Sequence, residues 1–174
     1  FLYKLLNMSH KKKILISASP FCKHDKTPLS LLKKNNIKYD LNPKKRKLNE
    51  REILKLIRSY DGLIADVEPL NRKVLSVAKN LKIISRVGIG VDNVDLDYTK
   101  KNKIIVTNTP DAPTAAVVEL NLGLIFSLIR NVHFHNIEIK KGKWNRHFGL
   151  RIPFLKIGII GLGRVGLGLA NNLL

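Results

Sequence analysis

Six residues near the end of the chain, Gly161-Leu162-Gly163-Arg164-Val165-Gly166, have the types and spacing to hold an anion. In a G-x-G-x-x-G turn between a strand and a helix, the first glycine makes the bend. The second lets the backbone approach a pyrophosphate, and the third lets helix and strand pack closely. The helix N-terminus then faces the negative charge. An apolar run, Ile157-Gly158-Ile159-Ile160, precedes the turn, and the start of an amphipathic helix follows it. A complete dinucleotide site also needs an acidic residue roughly 20 positions further on, to hold the ribose. The sequence stops at Leu174. The turn is either one half of a cofactor site or a tight turn alone, and its strand–turn–helix context favours the site.

A second glycine loop, Val87-Gly88-Ile89-Gly90-Val91, follows an apolar run and precedes Asp92-Asn93-Val94-Asp95. Loops at the carboxyl ends of strands in open α/β sheets are where ligands bind. Successive N–H groups there can form a nest for a carboxylate. Asp92 and Asn93 also suit a plain helix cap, and the two readings are compatible. His10, His24, His133, His135 and His147 carry no acid–base or nucleophile arrangement. His133 and His135 lack a cysteine or carboxylate at ligand spacing, so no metal site is expected.

These loops need strands and helices to hold them. KILISA (13–18), IKYDL (37–41), DGLIA (61–65), LKIIS (81–85) and KIIVTN (103–108) read as five short strands. Helical patterns separate them. Thr27-Pro28 is read as a cap with proline at the first helical position, and Asn49 with Glu52 as a capping box. A helix follows Pro69, and a short one lies near 95–101. Strands alternating with helices predict an α/β fold, a flavodoxin-like doubly wound parallel sheet complete by about residue 108. TPDAPT (109–114) is turn-rich, and a wide apolar helical pattern spans 114–131, expected to be buried between two packed layers. Residues 132–150 are polar. Residues 157–174 then open a second α/β unit of Rossmann type.

Composition bounds the rest. The chain has 174 residues, 44% of them hydrophobic, with a single cysteine, Cys22. No disulfide framework is possible, which fits a reducing, cytoplasmic setting, and no apolar run is long enough to span a bilayer. FLYKLLN precedes the only methionine, Met8, is too short for a secretory signal, and reads as an over-extension of the true start. Residues 1–10 are expected to be disordered. The net charge of +19 raises the question of nucleic acid, because counterion release rewards a basic surface. The densest runs, Lys11-Lys12-Lys13 and Lys44-Lys45-Arg46-Lys47, lack interleaved aromatics. The balance favours lysines scattered over solvated faces, with no nucleic-acid or membrane partner.

The run ISRVGIGVDNVDLDYTKKNKIIVTNTPDAPTAAVVEL, then KKGKW, then IGIIGLGRVG, resembles the D-2-hydroxyacid dehydrogenase family. The resemblance implies a substrate-binding domain over 11–110 and the first part of an NAD-binding domain over 111–174. It also implies an active site in the cleft between the domains, and a homodimer at full length. It assigns Val87, Gly88 and Ile89 to the carboxylate of a small 2-hydroxy or 2-oxo acid. Ile89 and Val118 border the nicotinamide, and Gly161, Gly163, Arg164, Val165 and Gly166 meet the pyrophosphate of NAD. The family's catalytic Arg, Glu and His fall downstream of residue 174, so no catalytic residue is assigned here.

On that resemblance the chain is the N-terminal half of an NAD-dependent dehydrogenase, and Leu167, Leu169, Leu173 or Leu174 should be unusually exposed. Three departures stand out. Asp66 occupies a place where some relatives acting on a phosphorylated substrate carry Arg. Ile89 replaces a small polar residue, and RIPFLK (151–156) lacks a glycine turn. The rival reading is a corepressor-type binding protein on the same scaffold, gated by NAD.

Overall fold

The computed structural model describes residues 12–174; the expectation for residues 1–10 lies outside them. The described chain divides into two compact units, one ending at Thr109 and one spanning Pro110–Leu174.

The first unit is a five-stranded parallel sheet with strand order β2-β1-β3-β4-β5, the order of flavodoxin-like folds. Its strands are β1 (Lys13–Ile16), β2 (Lys38–Leu41), β3 (Gly62–Ala65), β4 (Ile83–Arg86) and β5 (Ile105–Thr107). The connecting helices are α1 (Thr27–Lys34), α2 (Glu50–Leu56), α3 (Arg72–Val77) and α4 (Leu96–Lys101). All five predicted strands form, each shorter than its apolar run.

Alternation along a strand sends neighbours to opposite faces. Leu15, Leu63, Ala65 and Ile84 therefore join one core with Ile53, Val74 and Leu75. Ile14, Ile16, Ile64 and Ile83 join a second core with Leu32 and Ile37. Both faces are covered, which is why the central strands read as unbroken apolar runs rather than alternating ones.

Local signals hold in one helix and shift in two. Asn49 Oδ1 accepts from the Glu52 N–H at 3.0 Å and Glu52 Oε2 accepts from the Asn49 N–H at 3.0 Å, closing the capping box. Thr27 is not the cap of α1. Lys26 holds that position, and Asp25 accepts from the Thr27 N–H at 2.8 Å and its hydroxyl at 2.6 Å. Nor do Asp92 and Asn93 cap α4; Asp95 does, accepting from the Tyr98 N–H at 2.8 Å.

At the sheet edge, Asp40 accepts from the Tyr60 hydroxyl at 2.6 Å and pairs with Lys13 Nζ at 2.6 Å. Lys13 and the phenol hold the Asp40 carboxyl below its ordinary 3.8. Burial, then the neighbouring Asp40 carboxylate, pushes the Tyr60 phenol up to about 12. The signs oppose each other in pH. The Asp40 contribution is present above its unfolded value and fades as pH falls. The Tyr60 contribution is present below the ordinary 10.0 and is lost as pH rises toward about 12. Asp40→Asn is expected to flatten the acid limb of a urea-midpoint series against pH. An unchanged limb would show the cluster to be inert.

The second unit contains α5 (Thr114–Ile129), α6 (Val132–Lys140) and α7 (Arg164–Leu173). The helix α6 was not legible in a stretch read only as polar. Asn131, left-handed at φ 54°, separates it from α5, and the two helices meet at 63°. Among the described residues no single helix is long and apolar enough to cross a membrane.

Two expectations fail here. First, α5 is not buried between layers: Val118 is its one buried residue, while Leu124 and Leu128 are exposed. Gly168 of α7 lets that helix approach Val118, whose Cγ2 stands 2.9 Å from where a Cβ would be. One crossing helix cannot cover so wide an apolar face. Second, residues 157–160 are not a strand. A strand exists only where a neighbour takes its N–H and C=O groups, and no paired strand lies beside this run among the described residues. Ile160 is fully exposed. On α7, Leu167 is exposed and Leu169 and Leu173 are half-buried; Leu174, just beyond it, is exposed.

Candidate functional site

The carboxyl ends of β3 and β4 carry the first set of predicted residues. Ala65 and Arg86 are register partners, and the chain leaves both strands into loops that are tied together. The Val87 N–H donates to the Ala65 carbonyl at 2.8 Å, the Leu70 N–H to the Asn93 carbonyl at 2.7 Å, and the Asp95 N–H to the Leu70 carbonyl at 3.0 Å. Asn93 adds its side chain, donating to the Asp66 carbonyl at 3.1 Å and the Glu68 carbonyl at 2.7 Å. Residues 66–70 and 87–95 thus behave as one piece.

Gly88 has φ +139°, where a side chain is strained, and its backbone lies on the Arg86 guanidinium, whose Nη1 is 3.3 Å from an ideal Cβ. Arg86 is buried. It donates to the Val87 carbonyl at 2.6 Å and to Asn93 Oδ1 at 3.3 Å, and stands 3.8 Å from Asp66. A fixed cation therefore lies directly under the loop.

The N–H groups of this nest are not equally free. Val87 is committed to Ala65, and Gly88 donates to the Thr109 hydroxyl at 3.0 Å. Among the described residues, the Ile89 and Gly90 amides have no partner. Those two donors are open to a ligand, whereas Val87 and Gly88 are already engaged. Asn108 holds the Ile89 carbonyl at 2.7 Å. Arg86, Thr109 and Asn108 were given no role from the sequence, and Asn93 was read only as a helix cap. The legible signal was polar residues placed at the ends of otherwise apolar strands.

Glu68 was also missed. It is completely buried, accepting the Ser17 hydroxyl and the Asp66 N–H, the latter at 3.1 and 3.3 Å to its two oxygens. It braces the turn between β3 and α3 from within.

In the second unit, the glycine turn opens α7 as its spacing predicts, although no strand precedes it. Gly161 adopts φ +93°. Gly163 is the N-cap of α7, and a Cβ there would meet nothing within 4 Å. Gly166 faces the turn itself, where a Cβ would lie 2.0 Å from the Gly161 carbonyl oxygen and 3.4 Å from Ile159. The contact is thus with the turn's backbone as much as with the preceding run. The first bond of α7 runs from the Leu167 N–H to the Gly163 carbonyl at 2.8 Å. The amides of Arg164, Val165 and Gly166 therefore remain as first-turn donors. Arg164 pairs with Asp111 at 2.7 Å on the surface.

The rings of His135 and His147 lie 5.4 Å apart, and no metal-binding group of three ligands occurs among the described residues. Lys13, Arg46, Arg72, Lys73, Arg86 and Arg164 each have an acidic partner.

A parallel sheet with a tied glycine loop at its carboxyl edge, and a G-x-G-x-x-G turn opening a helix, define an α/β protein of two units. Comparison with known proteins narrows this. The model of the D-isomer specific 2-hydroxyacid dehydrogenase catalytic domain matches residues 14–160. The chain belongs to this family. D-3-phosphoglycerate dehydrogenase of Methanocaldococcus jannaschii is 37% identical over 122 residues, covering 68% of this chain and 23% of that protein. Hydroxypyruvate reductase of Thermotoga maritima is 34% identical over 130 residues, 73% of this chain and 42% of that protein. Among solved structures, the TT0316 protein of Thermus thermophilus superposes with a TM-score of 0.80 at 28% identity, covering 92% of this chain and 52% of that one. D-Lactate dehydrogenase of Aquifex aeolicus, solved with NAD and lactic acid, gives 0.75 at 21% identity, covering 93% and 48%. The chain spans about a quarter of the phosphoglycerate dehydrogenase and about half of the matched structures.

Proposed function

We propose that this chain is the amino-terminal part of an NAD-dependent D-2-hydroxyacid dehydrogenase of the phosphoglycerate dehydrogenase type. On this reading 11–110 is the substrate-binding domain and 111–174 the start of the NAD-binding domain. The whole enzyme works in the cytoplasm as a homodimer on a small 2-hydroxy or 2-oxo acid. The observation that carries the reading is the glycine turn: a left-handed Gly161, an unobstructed Gly163, and a Gly166 that no other residue can replace without meeting the Gly161 carbonyl. That cradle and the free first-turn amides of α7 suit a pyrophosphate.

When bound, the nicotinamide supplies hydride acceptance and donation at C2 of the acid. This chain's own residues bind and orient. The Ile89 and Gly90 amides, with Val87 and Gly88 completing the loop, hold the substrate carboxylate above the Arg86 cation. The amides of Arg164 and Val165 would meet the pyrophosphate; the resemblance's candidates for the nicotinamide side are Ile89 and Val118, the latter buried against α7 beside Gly168. The resemblance places a substrate-orienting Arg, a His that exchanges the hydroxyl proton and a Glu that tunes that His downstream of the glycine turn. The corepressor alternative draws no support from the relatives described above, which are named as dehydrogenases and a reductase.

Titrating NAD into the ¹⁵N-labelled chain is expected to move the amide signals of 161–166 with weak affinity and to give no turnover. Unmoved signals would overturn the cofactor assignment. Micromolar binding, about 8 kcal/mol, would show that the site is already complete and refute the partial reading.

A further inference from the structure

We propose that Asn108 is a positioning residue of the carboxylate site, aiming the Gly90 amide by holding the carbonyl of the same peptide unit. The inference rests on the dehydrogenase reading above, in which the 87–91 loop takes a substrate carboxylate. All the residues it uses belong to the first unit.

Asn108 is the first residue beyond β5, whose Thr107 is the register partner of Ser85 in β4. The chain therefore leaves β5 beside the glycine loop that follows β4. Three hydrogen bonds join the two segments. The Thr109 N–H donates to the Gly88 carbonyl at 3.0 Å, and the Gly88 N–H donates back to the Thr109 hydroxyl at 3.0 Å. Asn108 Nδ2 donates to the Ile89 carbonyl at 2.7 Å. A carbonyl only accepts, so the nitrogen of the Asn108 amide is the atom that faces it.

The two open amides of the loop share peptide units with two of these carbonyls. The Ile89 N–H belongs to the unit whose carbonyl is that of Gly88, held by Thr109. The Gly90 N–H belongs to the unit whose carbonyl is that of Ile89, held by Asn108. A peptide unit is planar and trans, so fixing its carbonyl fixes the direction of its N–H. The units differ in what else resists a flip. Neither Ile89 nor Gly90 has positive φ. Turning over the first unit drives Ile89 there, which a β-branched residue resists. Turning over the second drives Gly90 there, which costs a glycine little. Among the described residues, the Asn108 bond is thus what keeps the Gly90 N–H in its direction. The same bond polarises that N–H toward an anion.

The test is an NMR titration of the ¹³C,¹⁵N-labelled 174-residue chain with D-lactate, comparing wild type with Asn108→Ala. In the wild type the Ile89 and Gly90 amide signals are expected to move together. Without ligand, Asn108→Ala should shift the Ile89 carbonyl carbon and the Gly90 nitrogen, two atoms of one peptide unit. D-Lactate should bind this variant about fivefold more weakly, the effect of one lost hydrogen bond. The Gly90 response at saturation should shrink while the Ile89 response persists. Asn108 is exposed, so the urea midpoint should not move. Unchanged affinity with a full Gly90 response overturns the proposal and leaves the dehydrogenase reading standing. Equal loss of the Ile89 and Gly90 responses marks a merely structural residue and overturns it too. If D-lactate moves neither amide in the wild type, the substrate site itself is refuted, and the proposal with it.

Discussion

Replacing Gly166 with alanine should unseat the turn that opens α7. The added Cβ would stand 2.0 Å from the Gly161 carbonyl oxygen, a backbone atom held by a left-handed residue at φ +93°. Neither side can yield cheaply, so the cost should approach roughly 3 kcal/mol, the upper range for overpacking. The readout is the dispersion of the 161–170 amide signals, together with loss of every NAD-dependent shift. Gly163→Ala provides the contrast. A Cβ at Gly163 meets nothing, and φ is an ordinary −76°. That variant should keep native spectra yet lose the NAD response, because its methyl occupies the space through which a pyrophosphate approaches. Native spectra and an intact NAD response in Gly166→Ala would contradict the structure of the turn. A retained response in Gly163→Ala would contradict the pyrophosphate assignment.

Glu68→Ala should be the most damaging polar substitution in the first unit. Removing this fully buried side chain leaves the Asp66 N–H without its acceptor, and deprives the Ser17 hydroxyl of one of two partners, the other being the Ile64 carbonyl at 3.0 Å. It also empties side-chain volume beneath the turn. An unsatisfied, part-buried donor and a residual cavity together should cost about 3 kcal/mol. Urea denaturation provides the measure. Glu68→Gln, which keeps the shape and one acceptor oxygen, should lose less than half as much. Hydrogen exchange at 66–70 and 87–95 should accelerate together in Glu68→Ala, since Asn93 and the Leu70 hydrogen bonds join these loops. A loss below about 1 kcal/mol would mean that water replaces the carboxylate, and that Glu68 does not brace the site.

Much of the molecule was legible residue by residue. The five strands followed from apolar runs whose two faces are both covered, as Leu15 and Ile14 illustrate on opposite sides of β1. The capping box at Asn49 and Glu52, and the three glycines of the turn, depend on contacts only a few residues apart. Their spacing therefore carried the geometry. Where a local signal had a competitor, the sequence did not decide: Thr27 yielded its capping role because Asp25, two residues earlier, binds both its N–H and its hydroxyl.

What the sequence by itself determined was the strand–helix alternation, the two glycine loops and the family resemblance, because each is written in short-range periodicity or contiguous residues. Only the tertiary structure decided which amides of the 87–91 loop are free. The Val87 and Gly88 donors are taken by Ala65 and Thr109, the latter 21 positions from Gly88. It alone showed Arg86 beneath that loop and Glu68 behind it. It also showed that residues 157–160, apolar enough for a strand, form none. A strand and a buried charge are both defined by partners distant in sequence, and periodicity holds no record of a partner.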